Sequence, residues 1–186
     1  MFGREDVLWS SKEGAENTVI KIVINGMARS GKDTFADMCC HLGKGYQFSS
    51  VEMVKYVCEL LGWDGEDKSE ASRFALSEIA KIADKTFDHR KKFIREKLNV
   101  LEKSGLFDYV FIHIREPELI QWAVSELHCK TVLVRNPRVP EITSNESDKN
   151  VNNFQYDYVV ENRGTLAELE GEAEMYFKRM MIDNKK

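Results

Sequence analysis

Gly26-Met27-Ala28-Arg29-Ser30-Gly31-Lys32-Asp33-Thr34 follows the apolar run Val19-Ile20-Lys21-Ile22-Val23-Ile24 and leads into Phe35-Ala36-x-Met38-Cys39-x-x-Leu42, whose apolar residues recur at helical spacing. Strand, glycine-bracketed loop and helix, in that order, are what a phosphate-binding loop requires. Glycines let the backbone bend until successive N–H groups converge on an anion, and the helix N-terminus adds partial positive charge. Gly26, Arg29, Ser30, Gly31, Lys32, Asp33 and Thr34 are therefore the candidate phosphate-binding residues, with Lys32 placed to reach the outer phosphates of a nucleotide. Position 33 is off-pattern. A Ser or Thr that ligates magnesium usually follows the lysine; here an aspartate stands there, able to hold Mg²⁺ directly or through its waters. Thr34 is then open to the metal or to an inner phosphate.

Downstream, Gly43-Lys44-Gly45 ends the first helix and Tyr46-Gln47-Phe48 reads as a short strand. Ser49 and Glu52 have the spacing of a capping box ahead of a helix carrying Val51, Val54, Cys58 and Leu61, which stops at Gly62. Trp63 to Lys68 is an acidic loop. A long helical region then starts at Ser69, with Phe74, Ala75, Ile79 and Ala83 on one face; it bends near Thr86 and continues through Ile94, Leu98 and Leu101 to Gly105. From Lys85 to Lys103 there are seven Lys/Arg against three Asp/Glu, a local +4. That cluster is either a solvated helix face or a seat for an acceptor phosphate. Arg90 and Arg95 are the candidates for the second role, because a guanidinium fork fits phosphate oxygens bidentately.

Asp108-Tyr109-Val110-Phe111-Ile112-His113-Ile114 is nearly continuous in apolar character, as buried parallel strands are. Pro117 suits the first turn of the helix that follows, which puts Arg115 and Glu116 at the carboxyl end of a central strand, where open α/β sheets bind ligands. Thr131-Val132-Leu133-Val134 delivers Arg135 and Arg138 in the same way. The polar stretch from there to Asn153 has the length of a lid or binding loop. Tyr156 to Val160 forms the last strand, and Thr165-x-x-Glu168 caps a closing helix through Leu166, Leu169 and Met175. Strands alternating with helices imply an α/β fold in three layers: a mostly parallel five-stranded sheet with helices on both faces.

The chain has 186 residues, 42% of them hydrophobic, and a net charge of −4. That length suits one domain over residues 19–186, preceded by a polar arm over 1–18. The charge argues against general attraction to nucleic acid. Four cysteines without a C-x-x-C pair argue against structural zinc, and both Cys39 and Cys58 read as small buried hydrophobes. With no signal-like leader and no run that could span a bilayer, a cytoplasmic protein without a membrane partner is expected.

The loop GMARSGKDT, the strand end HIREPE and the tail DYVVENRGTLAEL together resemble the bacteriophage-type deoxynucleoside monophosphate kinases within the P-loop kinases, with P-loop phosphomevalonate and dephospho-coenzyme A kinases as nearby groups. The resemblance implies the P-loop NTPase fold, ATP with Mg²⁺ as donor, and a small phosphorylated acceptor. It extends from Val19 to about Met180. It implies catalytic roles for Lys32 and Arg115, with Arg135 or Arg138 where lid arginines sit, and metal contacts from Asp33 and Thr34, with Glu116 as a further candidate. The helical acceptor region over about 63–105, the lid over about 135–153, and acceptor binding by Arg90, Arg95 and Arg115 are expected from charge and loop length rather than from the resemblance. One departure stands out: an acid commonly precedes the strand-end arginine by two residues, and here that residue is His113.

The expected reaction is ATP-dependent phosphoryl transfer to a nucleoside or deoxynucleoside monophosphate. Transfer to a non-nucleotide metabolite is the alternative within the same chemistry, and a nucleotide-binding module without transfer is the alternative outside it. A homodimer is compatible with the sequence.

Overall fold

The computed structural model describes residues 19–184 except residue 68 and residues 141–150. The arm expected over 1–18 and most of the expected lid lie outside the described residues.

Five strands form one all-parallel sheet: β1 (Ile20–Asn25), β2 (Gly45–Ser49), β3 (Tyr109–His113), β4 (Lys130–Arg135) and β5 (Tyr158–Glu161). Their order across the sheet is β2-β3-β1-β4-β5, so β1 and β3 lie inside it with β4 on the other side of β1. Strands covered on both faces read as continuous apolar runs. Accordingly, Ile22, Ile24, Tyr109 and Phe111 face one layer while Val23, Val110 and Ile112 face the other. The first layer is α1 (Lys32–His41) and α6 (Leu166–Asp183), contributing Phe35, Ala36, Leu169, Ala173, Tyr176 and Met180. The second is α4 (His89–Ser104) and α5 (Pro117–Leu127), contributing Ile94, Leu98, Leu119, Ile120 and Ala123. This is the three-layer α/β fold expected. A smaller cluster of Val54, Cys58 and Ala80 joins α2 (Glu52–Leu60) to α3 (Glu70–Phe87). Among the described residues no helix is long and apolar enough to cross a membrane.

Several local expectations need correction. Ser49 and Glu52 form no capping box: Val51 is the N-cap of α2, without a side-chain cap, and the Ser49 hydroxyl instead accepts from the Val51 amide at 3.4 Å. Leu61 is exposed rather than on the buried stripe of α2. On α3 the buried residue is Ala80, whereas Phe74 points to solvent. Ala173, Tyr176 and Met180 bury α6 alongside Leu169, leaving Leu166 and Met175 exposed. The break in the long helical region falls at Asp88, which holds a left-handed φ of 53° between α3 and α4. The capping box of Thr165 and Glu168 on α6 forms with both of its hydrogen bonds.

In a parallel sheet every strand delivers its carboxyl end to the same edge. Asn25, His113 and Arg135 therefore converge there, and the loop 26–31 leaves β1 between β3 and β4.

Candidate active site

The loop is shaped by close approaches that admit no side chain at two positions. A Cβ on Gly26 would lie 2.6 Å from both the Ser30 hydroxyl and the Val134 carbonyl; one on Gly31, at φ +88°, would lie 2.5 Å from the Asn162 amide nitrogen. Arg29 also takes a left-handed φ, 67°, and the Ser30 amide closes a turn on the Met27 carbonyl at 3.1 Å. Two asparagines brace the loop from outside. Asn25, fully buried, accepts from the Gly26 amide at 2.8 Å and donates to Tyr156 Oη at 2.8 Å and to the Arg115 carbonyl at 3.3 Å. Tyr156 in turn donates to the Val151 carbonyl at 3.0 Å. Asn162, just past β5, donates to the Ser30 carbonyl at 3.0 Å.

What faces inward suits an anion. The helix α1 begins at Lys32, so its first amides have no partner within the helix and open onto the loop. Among the described residues the Ser30 hydroxyl is buried and finds no hydrogen-bond partner, an orphan that a phosphate oxygen would satisfy. Lys32 is itself buried, its ammonium paired with Asp33 and 3.1 Å from His113 Nδ1. Burial lowers the Lys32 pKa, and the charges of Arg115 and Lys55 add to that, against the restoring pull of Asp33. Burial opposes the charge on Asp33, but Lys32 and Arg115 outweigh it and hold the carboxyl below its usual value. Two further cations, Lys55 and Arg115, thus act on Lys32 in a chain whose net charge is −4. His113 is pushed down to about 4 by burial and by the charge of Lys32.

The candidates named from sequence fall into two groups. Gly26, Ser30, Gly31, Lys32, Asp33, Thr34 and Arg115 are brought together around the loop, with Arg29 exposed at its rim. Arg135 and Arg138 follow at the carboxyl end of β4, both exposed, Arg135 donating to Asn152 at 3.3 Å. Beside them is a cavity of about 500 Å³, bounded by Met27 and Ser30 on one side and by Asn136, Pro137 and Val139 on the other. That volume lies within the usual range for small-molecule pockets. Arg90 is held differently: its Nε meets Asp84 at 2.6 Å and its Nη1 meets Glu116 at 2.7 Å, so the side chain is buried between two carboxylates. Arg95 lies along the outside of α4, over the Trp122 ring at 5.1 Å and 3.8 Å from Glu126, and is not brought to the loop.

Among the described residues no three His, Cys, Asp or Glu side chains are grouped as a metal ion would need. The exposed pair Asp33 and Thr34 suits Mg²⁺, which commonly takes one or two protein ligands together with phosphate oxygens and waters. Glu116 reaches the site edge already paired with Arg90. Sequence reasoning passed over Asn25, Gln47, Lys55, Tyr156 and Asn162. Of these only Asn162 had a visible signal, since it follows the last strand in the turn ENRG of the quoted tail.

This sheet order with this loop at the end of β1 is that of the three-layer α/β fold of P-loop proteins. Among solved structures it is similar to the dephospho-CoA kinase from Campylobacter jejuni, with a TM-score of 0.50 at 14% identity over 87% of this chain and 97% of that one. A sugar kinase from a Janibacter species gives a TM-score of 0.43 at 10% identity, over 86% and 95% of the two chains. No protein-family model and no curated protein sequence matches the chain.

Proposed function

We propose that this protein transfers the γ-phosphoryl group of ATP, with Mg²⁺, to the phosphate of a nucleoside or deoxynucleoside monophosphate. The observation that carries the reading is the convergence of a buried lysine, an orphaned serine hydroxyl and a helix N-terminus on one glycine-shaped loop. Such chemistry needs placement and charge stabilisation rather than covalent help from the protein. Lys32 and the loop amides hold the outer phosphates of the donor. Asp33 and Thr34 hold the metal, which when bound neutralises charge on the transferring group. Arg115, at the end of β3, faces the same mouth and orients the acceptor phosphate; Arg135 and Arg138 flank it from β4. No general base is required, because an acceptor phosphate oxygen is already anionic. The cavity between Met27 and Pro137 has room for the base of the donor.

A second acceptor class is favoured by one observation: Arg90 is already occupied by Asp84 and Glu116, which leaves fewer guanidinium groups for a nucleotide phosphate. A coupled ADP-release assay across nucleoside monophosphates, deoxynucleoside monophosphates and non-nucleotide phosphate esters decides between them. The nucleotide reading expects turnover with at least one monophosphate and a fall of about a hundredfold or more in Lys32→Ala. Turnover with a non-nucleotide acceptor alone would remove the nucleotide assignment, and normal turnover in Lys32→Ala would remove the role given to the lysine.

A further inference from the structure

A chain of hydrogen bonds leaves Lys32, passes through a ring nitrogen that also lies 3.3 Å from Asp33 Oδ1, and returns to its own helix. Lys32 Nζ lies 3.1 Å from His113 Nδ1; His113 Nε2 lies 2.8 Å from Gln47 Oε1; and the Gln47 amide nitrogen donates to the carboxylate of Asp37, on α1 five residues beyond Lys32. The circuit thus runs from α1 to β3 to β2 and back to α1. An ammonium can only donate and a carboxylate can only accept. Gln47 must therefore present its nitrogen to Asp37 and its oxygen to the ring, so Nε2 of His113 carries a proton. Nδ1 faces the ammonium at 3.1 Å and Asp33 Oδ1 at 3.3 Å; in the neutral ring it is the lone-pair nitrogen and accepts from Lys32. The register of the sheet makes this reach possible: Gln47 stands opposite Phe111, one diagonal step from His113 on the same face.

The three N–H bonds of the Lys32 ammonium are then divided. One goes to Asp33 and one to His113, which leaves the third for a ligand. A lysine stem loses rotamer entropy when its head is fixed, so a second anchor counts. A carboxylate at position 113 would supply that anchor but would add a second negative charge to that of Asp33 beside the ammonium. An imidazole that only accepts holds the ammonium and adds none. We infer that His113, oriented by Gln47 and Asp37, is a positioning residue that aims the Lys32 ammonium at the transferred phosphoryl group without adding a further negative charge beside it. The inference rests on the phosphoryl-transfer reading for its consequence, though not for its geometry.

Three measurements test it, two of them independent of turnover. Long-range proton–nitrogen correlation spectra of the full chain at pH 7 should show His113 as the Nε2–H tautomer in the wild type, and a shift toward Nδ1–H in Gln47→Leu. Calorimetry with metal-free tripolyphosphate should show His113→Asn within about twofold of wild-type affinity and His113→Asp weaker by about fivefold or more, since only the aspartate adds a charge beside Lys32. In steady-state assays His113→Ala should lose about ten- to a hundredfold in kcat with the KM for ATP within about threefold, and His113→Asn, whose Oδ1 can stand where Nδ1 stood, should recover most of that loss. An Nδ1–H or doubly protonated ring in the wild type would overturn the inference. So would equal tripolyphosphate affinity in the asparagine and aspartate variants, or an unchanged kcat in His113→Ala. A wild-type chain that transfers phosphate to no acceptor would defeat the kinase reading, and the spectroscopic and tripolyphosphate arms would still judge this one.

Discussion

His113 binds its proton far less readily in the fold than in the unfolded chain. Its side chain is mostly buried and its Nδ1 faces an ammonium, so the folded pKa falls to about 4 from the ordinary 6.5. The sign follows from linkage. Between those two values the unfolded chain takes up a proton that the native one refuses, so stability is present above 6.5 and is lost as pH falls toward 4. The loss is on the order of 2–3 kcal/mol for a shift of this size. Asp33 cannot imitate it, because a carboxyl held below its ordinary 3.8 gives up its contribution only at still lower pH. Urea unfolding of wild type and His113→Asn at several pH values from 7 to 4 should show a steeper decline in the wild type. Parallel declines would mean that the imidazole is not buried as described. Nothing in the sequence around position 113 announced this arrangement. The histidine was legible only as a departure from an expected acid; its partners are 66 and 81 residues away.

At the scale of elements, Arg90 fastens two junctions at once. It sits in the first turn of α4, pairs with Asp84 in the last turn of α3, and pairs with Glu116 just before α5. Asp84 also accepts from the Arg90 amide at 2.9 Å, so the left-handed turn at Asp88 is clamped from both sides. Removing the guanidinium leaves two carboxylates facing each other without a cation. Because both are partly exposed, the expected cost of Arg90→Ala is about 2–3 kcal/mol, below that of a fully buried pair. Chemical denaturation reads that cost directly. A variant of normal stability but poor KM for the acceptor would instead give Arg90 back the phosphate-binding role read from sequence. Elements that carry a local sequence signal were legible in advance: the glycine-bracketed loop, the buried β3, the proline start of α5 and the capping box of α6. The faces of α2 and α6 were not, because each carries two apolar stripes. On α2, Val54 and Cys58 are covered by α3 while Val57, Leu60 and Leu61 are exposed. Spacing alone cannot say which stripe finds a partner.

Over the whole molecule, the fold collects cations that lie far apart in the chain. Lys32 begins α1, Lys55 lies on α2, Arg115 follows β3, and Arg135 ends β4. Asn25 ties this edge together, linking the loop, the end of β3 and, through Tyr156, the connection into β5. Such a site stores unfavourable energy: like charges act on Lys32, a serine hydroxyl lacks a partner among the described residues, and the first amides of α1 have none within the helix. An anion of several charges relieves all of these at once, so it should bind the native chain and not the unfolded one. At a hundredfold excess over its Kd, such a ligand raises stability by about 2.7 kcal/mol. For a chain of this length that corresponds to a rise of about 5–10 °C in Tm. Thermal unfolding with and without MgATP should show this rise, and Lys32→Ala should show no more than about a third of it at the same concentration. Equal shifts in the two proteins would place the bound anion somewhere other than the loop.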